Sequence, residues 1–209
     1  MLLVKYSRVL ILTLLVACEQ KTSPPPVTKV EEADTTESKK QTTSDELTQP
    51  EAILLTTNRI SPYDYIVKKY ARRYGFDWRL ISAQIFAESG FRENRKSRAG
   101  ALGLMQIMPS TAKYLGTSPD VLLRPEDNIA LGCFYDYKLY NYWDSLKGRE
   151  RLAFMFASYN AGQTRVRRAQ RKAAIKHTWV GIKYYLPGET RHYVFKIFKK
   201  YEEYKQKVL

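Results

Sequence analysis

Glu88 is the side chain in this sequence best placed to donate a proton to a bound molecule. It follows Ile81 and Ile85 at helical spacing, so the three side chains are expected on one helix face, toward a core or a cleft. Gly90 closes this helix and leaves Glu88 in its last turn, at the negative end of the helix dipole. Burial and the dipole should both raise its pKa, as a general acid near neutral pH requires. Taken alone, the local pattern favours a structural glutamate that reaches solvent or pairs with an arginine.

Four stretches of sequence, beginning at Glu88, carry further residues suited to binding a polar substrate. They are residues 88–91 with Ser97 and the run 100–109 (Gly-Ala-Leu-Gly-Leu-Met-Gln-Ile-Met-Pro); Asn128-Ile129 with Gly132; residues 157–162 with Arg165-Val166; and Glu189-Thr190 with Tyr193-Val194. In this order they resemble the lytic transglycosylase domain of the soluble-lytic-transglycosylase (SLT) type, glycoside hydrolase family 23. The resemblance spans roughly residues 60–205. It departs at residues 92–96, which are more charged than relatives usually are.

The resemblance implies an all-α, lysozyme-like helical domain with a substrate cleft beside Glu88. It also implies non-hydrolytic cleavage of the bond between N-acetylmuramic acid (MurNAc) and N-acetylglucosamine (GlcNAc) in peptidoglycan, in cell-wall remodelling or turnover. Glu88 would protonate the leaving oxygen, and the 2-acetamido group of the substrate would stabilise the positive charge. Glu88 would then take the proton of the attacking 6-hydroxyl group, giving a 1,6-anhydro-MurNAc end. We therefore expect no metal and no cofactor, and the motifs show no second acidic residue placed for catalysis near Glu88.

Three predicted substrate-binding residues lie in and before the long glycine-containing run. Ser97 and Gln106 carry donors and acceptors for the amide and hydroxyl groups of a sugar. Met108 can pack on a sugar face, or it can simply fill the core.

Three more predicted substrate-binding residues come from the later motifs. Tyr159 is expected to reach the reacting region, by a hydrogen bond either to Glu88 or to the acetamido group of the substrate. Asn160 either binds sugar or holds the turn. Glu189 either lines the cleft or caps the last helix.

Helical periodicity and capping residues predict the elements that must position these side chains. Apolar and aromatic residues recur every four positions from Ile66 to Tyr74, and Gly75 fits the end of that helix. Asp77 is a suitable N-cap for the helix that carries Glu88. Further helices are expected from Pro125 to Trp143, from Glu150 to Asn160 and from Glu189 to Gln206. Strand-like alternation never extends beyond a few residues, so the sequence predicts an all-α fold.

Residues 1–17 have the pattern of a secretory signal peptide. Lys5 and Arg8 precede a short apolar stretch, Val9 to Val16, which is shorter than the about 20 residues of a membrane span. Residues 15–18 (Leu-Val-Ala-Cys) resemble a bacterial lipobox, which implies cleavage before Cys18 and lipid attachment to it. The alternatives are an uncleaved anchor and secretion with a free cysteine. Glu19 resembles an outer-membrane sorting signal, so we expect a lipid-anchored envelope protein on the outer membrane, facing the periplasm.

Composition separates a linker from a basic folded domain. Residues 18–58 comprise Cys18 and a segment with few large apolar groups, which predicts a flexible linker; the SLT-like domain is expected at 59–209. The net charge of +14 favours polyanionic partners. No nucleic-acid-binding motif accompanies it, so we expect no nucleic-acid partner. The resemblance implies peptidoglycan glycan strands as the partner, and we expect a monomer. Cys133 lies in an apolar stretch and is expected to be buried.

The sequence alone is also compatible with three other functions. A hydrolytic muramidase would cut the same bond with water and would usually need a second carboxylate. A catalytically inactive wall-binding lipoprotein would keep the cleft without needing Glu88. A basic envelope protein would bind anionic lipid or polymer in a salt-sensitive way.

Overall fold

The computed structural model describes residues 58–208. The predicted signal peptide, Cys18 and nearly all of the predicted linker lie outside the described residues. Within the described range, no helix is both long enough and apolar enough to cross a membrane. The described chain consists of helices, turns and two isolated β-bridges, which join Lys96 to Leu102 and Leu102 to Ile107.

Eight α-helices and two short 3₁₀ helices make up the described chain. In order they are α1 (Asp64–Tyr74), α2 (Trp78–Glu88), α3 (Pro109–Tyr114), the 3₁₀ helix η1 (Pro119–Leu123), α4 (Pro125–Tyr142), α5 (Gly148–Ala161), α6 (Gln163–Lys172), α7 (Trp179–Ile182), η2 (Lys183–Tyr185) and α8 (Gly188–Lys207). The three long helices predicted after residue 120 are confirmed as α4, α5 and α8, with ends shifted by one or two residues. Helices α3, α6 and α7 were not predicted from the sequence.

Local chemistry sets the ends of the helices near Glu88. Helix α1 ends at Gly75, which adopts the left-handed conformation at φ 76°. Asp77 caps α2 as predicted, since its carboxylate accepts a hydrogen bond from the backbone N–H of Arg79 at 2.9 Å. Pro125 occupies the first turn of α4, where no backbone donor is needed. These residues fix where the helices begin and end, and so help to set the position of Glu88 at the end of α2.

Helix α2 is central because opposite faces of it enter two hydrophobic clusters. Leu80 and Ala83 pack with residues of α5 and α8, including Phe154. Ile81 and Ile85 pack with residues of α1, α4 and the loop after α2. Both isoleucines are fully buried, at 0% exposure, so the predicted apolar face is confirmed. Burial on both sides leaves the helix little freedom to shift, and Glu88 at its end is held accordingly.

Asn128 fixes the loop between α2 and α3. Its buried side chain accepts a hydrogen bond from the Met105 N–H at 2.8 Å and donates to the carbonyl oxygens of Leu102 and Leu122 at 3.0 Å each. Gly103 packs against this amide with φ 79°, and a Cβ atom there would lie 2.2 Å from Asn128 Nδ2. The glycine is therefore required both by its backbone conformation and by the close approach of Asn128.

Replacing Asn128 with Ala should lower the free energy of unfolding by roughly 3 kcal/mol, because buried backbone groups lose their partners. Urea denaturation measures this difference. The same change at Asn94, which is exposed on the same loop, should cost less than about 0.5 kcal/mol. Equal stability of the two variants would mean that the Asn128 amide does not hold the loop.

Candidate active site

A single cleft brings together the end of α2, the loop after it, the end of α5 and the first turns of α8. It encloses a cavity of about 400 Å³. All seven residues predicted to act on or bind a substrate line it: Glu88, Ser97, Gln106, Met108, Tyr159, Asn160 and Glu189. Their roles toward a substrate stay predictions. Their hydrogen bonds within the protein show which donor and acceptor atoms remain free for a substrate.

Glu88 is partly buried in this cleft. Burial raises its pKa to about 7, because the carboxylate loses hydration there. The hydrogen bond from Tyr193 lowers the pKa, as do the positive charges of Arg95 and Lys196, whereas the carboxylate of Glu189 raises it. At neutral pH the protonated and ionised forms of Glu88 are both well populated, so this side chain can donate a proton and take one back.

The hydrogen bond considered for Tyr159 is made by Tyr193 instead. The Tyr193 hydroxyl donates to Glu88 Oε1 at 2.6 Å, whereas the Tyr159 hydroxyl donates to the carbonyl oxygen of Met105 at 2.9 Å. Tyr159 therefore ties α5 to the loop, and only the lone pairs of its hydroxyl oxygen remain for a substrate amide. The sequence did contain a signal for Tyr193, since it follows Glu189 by four residues and so shares its helix face.

Ser97 and Gln106 are partly committed to the loop itself. Ser97 Oγ accepts from the Ala101 N–H at 2.9 Å, which leaves the hydroxyl proton free to donate. Gln106 Nε2 donates to the carbonyl oxygens of Arg95 and Gly103 at 2.9 Å each, which leaves Oε1 as an acceptor. Gln106 also has φ 46°, an uncommon conformation for a residue with a side chain. Met108 adds a partly buried thioether to the same wall.

Asn160 and Glu189 connect α5 to α8 across the cleft. Asn160 Oδ1 accepts from the Thr190 hydroxyl at 2.8 Å, so it holds the junction, while its Nδ2 group remains available to the cleft. Glu189 lies inside the first turn of α8, and Pro187 occupies the N-cap position without a side-chain cap. Glu189 therefore lines the cleft rather than capping the helix.

Three basic side chains of the cleft were not identified from the sequence: Arg95, His192 and Lys196. Lys196 Nζ also donates to the Ala87 carbonyl oxygen at 3.3 Å. Glu189, His192, Tyr193 and Lys196 follow the i, i+3, i+4, i+7 pattern of one helix face. That pattern could have identified the two basic residues of α8 once Glu189 was placed in the cleft. Arg95 had no comparable signal, because it lies in an irregular loop.

A family model described as the transglycosylase SLT domain matches residues 65–182, more than half of the chain. The chain belongs to the transglycosylase SLT domain family. It is 37% identical over 134 residues to a membrane-bound lytic murein transglycosylase F of Desulfosudis oleivorans, a match that covers 62% of this chain and 29% of that protein. The chain thus spans less than a third of the length of this relative.

Solved structures of SLT-family enzymes share the fold. The 70-kDa soluble lytic transglycosylase of Escherichia coli matches with a TM-score of 0.59 and 31% identity, over 69% of this chain and 24% of that one. An inactive mutant of the lytic transglycosylase Slt of Pseudomonas aeruginosa matches with a TM-score of 0.58 and 28% identity, over 70% and 24%. The predicted all-α, lysozyme-like fold is confirmed.

The SLT domain of this chain also buries a carboxyl group beside the cleft, at Asp136 of α4. Asp136 and Gln84 are both fully buried, and Gln84 Nε2 donates to Asp136 Oδ1 at 3.2 Å. Asp136 Oδ2 and Gln84 Oε1 have no partner among the described residues. Burial raises the pKa of Asp136 well above its usual range. Protonation would remove the charge on Asp136 and make Oδ2 a donor rather than a buried acceptor without a partner.

Replacing Asp136 with Asn should therefore preserve the hydrogen bond from Gln84 Nε2 and stabilise the domain relative to the wild type as the pH rises. In the wild type, the unfolded Asp136 ionises above its ordinary pKa while the folded form keeps its proton, so stability falls as the pH rises through this window. The Asp136→Asn variant has no carboxyl group at this position, so it does not lose stability in this way. Thermal melts at pH 4 and pH 8 test it, and a variant destabilised equally at both pH values would show that Asp136 is ionised in the fold.

Proposed function

We propose that this protein is a peptidoglycan lytic transglycosylase that cleaves the MurNAc-β-1,4-GlcNAc bond and leaves 1,6-anhydro-MurNAc ends. The observation that carries the proposal is Glu88, with a pKa of about 7 and a hydrogen bond from Tyr193, in the cleft of an SLT domain. The relative named membrane-bound lytic murein transglycosylase F supports the same substrate.

Glu88 would act first as an acid and then as a base. Its proton passes to the glycosidic oxygen as the bond from C1 of MurNAc to that oxygen breaks, and the acetamido group of MurNAc stabilises the charge at C1. The 6-hydroxyl oxygen then bonds to C1, and its proton passes to the Glu88 carboxylate. Because the nucleophile belongs to the same sugar, no water is consumed and the step gains from proximity. Tyr193 supports the ionised intermediate state of Glu88 by donating a hydrogen bond.

The hydrolytic alternative has one specific observation in its favour. Glu189 lines the same cleft as Glu88, so a second carboxylate is present in the site. Asp136 does not supply such a group, since it is fully buried. A muramidase would use Glu189 to activate water or to act as a nucleophile. The two reactions differ in their products rather than in the bond they cut.

Digestion of purified sacculi by the purified protein, followed by mass spectrometry, distinguishes these functions. We expect anhydro-muropeptides, and none from the Glu88→Gln variant. Products with reducing MurNAc ends would identify a hydrolase. Binding to sacculi without any products would identify the inactive wall-binding lipoprotein.

We also propose that Cys18 anchors the protein by lipid to the outer membrane, so that the monomer faces the periplasm. The linker after Cys18 would span roughly 35 Å as a coil, enough to reach a nearby polymer layer. Replacing Cys18 with Ser should move the protein from the membrane fraction to the soluble periplasm. Labelling with radioactive palmitate measures the lipid directly, and a labelled Cys18→Ser variant would exclude this anchor.

A further inference from the structure

A second cavity adjoins the catalytic cleft on the side of α6. It measures about 460 Å³ and is lined by Tyr114, Tyr135, residues 161–165 and Arg168. The two cavities are neighbours along the chain, because Tyr159 and Asn160 line the first and the next two residues line the second. They also share a wall, since the rings of Tyr135 and Tyr159 are 5.2 Å apart. The second cavity therefore lies next to the catalytic cleft.

This second cavity is positively charged and lacks an internal counter-ion. Arg165 and Arg168 are one turn apart on α6, and both are exposed. In residues 58–208 neither guanidinium forms an ion pair. None of the eight lining residues is acidic. Two arginines that line a concave site without a described partner are suited to bind carboxylate groups through their planar donor pairs.

The substrate class that matches this cavity follows from the chemistry of peptidoglycan. While the peptide stem is attached, the lactyl carboxyl group of MurNAc is an amide, so the sugars are uncharged and the anionic groups lie on the stem. Removal of the stem by an amidase leaves a single carboxylate on each MurNAc. We propose that the cavity of Arg165 and Arg168 binds carboxylates of this peptide stem while the glycan occupies the cleft. The inference rests on the proposed function. Gln163 and Thr164, also in the lining, offer hydrogen bonds to the peptide amides.

The test compares peptide-bearing glycan strands with strands stripped of peptide by an amidase. For Arg165→Gln/Arg168→Gln, the ratio of kcat/KM on peptide-bearing strands to kcat/KM on stripped strands should fall roughly tenfold or more, because two charge-assisted contacts are lost. The control is Arg167→Gln/Arg171→Gln, which removes the same charge from the same helix outside the cavity and should keep the wild-type ratio. An equal fall of this ratio in both variants would mean that long-range charge attraction causes the effect, and it would overturn the proposal. An unchanged ratio would do the same.

A binding measurement separates this inference from the proposed function. The probe is the free tetrapeptide stem L-Ala-D-Glu-diaminopimelate-D-Ala, titrated calorimetrically into the full protein. We expect the wild type and the control variant to bind it, and the Arg165→Gln/Arg168→Gln variant to bind at least about tenfold more weakly. Absence of cleavage with selective peptide binding would refute the transglycosylase function and leave the peptide site standing. Cleavage of stripped strands together with equal peptide binding by all three proteins would refute the peptide site alone.

Discussion

Replacing Glu88 with Gln should reduce the rate of glycan cleavage by about a thousandfold or more, because one side chain supplies both proton transfers. The amide keeps the shape of the carboxyl group and can still accept the hydrogen bond from Tyr193. The cleft and its affinity for glycan should therefore survive, so the loss should appear in kcat rather than in KM. The turnover rate at saturating concentrations of sacculi measures it. A residual rate within about tenfold of the wild type would assign the acid to another residue.

The same substitution should stabilise the fold at neutral pH. Glu88 has a folded pKa of about 7, above its ordinary value, so it favours the folded state below pH 4.5 and loses that benefit as the pH rises to 7. Between pH 4.5 and pH 8 the wild type should therefore lose about 3 kcal/mol of stability relative to the Glu88→Gln variant. Thermal melts across this range measure the difference. Stability and catalysis therefore conflict at this position.

A glutamate with the opposite shift provides the control. The pKa of Glu126 is lowered, first by its hydrogen bond from Lys69 and further by the one from Tyr70. Its contribution to stability is present above the ordinary pKa of a glutamate and is lost as the pH falls. Glu126→Gln should therefore destabilise the domain slightly at neutral pH and not in acid. A common trend in both variants would point to the change from Glu to Gln itself rather than to the surroundings of Glu88.

Local features of this fold were predictable because their causes lie within a few residues. The Asp77 cap, the Gly75 helix end and the apolar face of Ile81 and Ile85 each depend on near neighbours in sequence. Helix α6 was not predicted because only two of its side chains, Val166 and Ala169, are buried, and its polar face resembles any basic exposed segment. A helix with so narrow an apolar stripe depends on packing that the sequence does not display.

The hydrogen-bond partners within the site were not predictable for a different reason. Tyr193 is 105 positions from Glu88, and Tyr159 is 54 positions from the carbonyl group it binds. Both tyrosines belong to motifs and both line the cleft, so only the relative placement of α5 and α8 decides which one reaches the carboxyl group. The positive φ of Gln106 is likewise imposed by its surroundings, since it is not a glycine.

Replacing Tyr193 with Phe should lower kcat by roughly tenfold to a hundredfold and move the alkaline limb of the pH profile upward. The hydroxyl donates to Glu88 Oε1 at 2.6 Å and lowers the pKa of Glu88. Without it, the carboxyl group loses its fixed orientation and holds its proton to a higher pH. The rate falls at every pH, but its decline with rising pH should begin later than in the wild type. The dependence of kcat on pH, from 5 to 9, measures both effects.

Tyr201 offers a matched control on the same helix. Its hydroxyl donates to Asp77 Oδ2 at 2.8 Å, so Tyr201→Phe also removes a hydrogen bond from a tyrosine of α8 to a carboxylate, but outside the cleft. We expect this variant to lose some stability and to keep the wild-type pH profile. A purely structural role for Tyr193 predicts the same behaviour in both variants. An upward shift confined to Tyr193→Phe would show that this hydroxyl tunes the acid, because Tyr193 bonds Glu88 whereas Tyr201 bonds Asp77, outside the cleft.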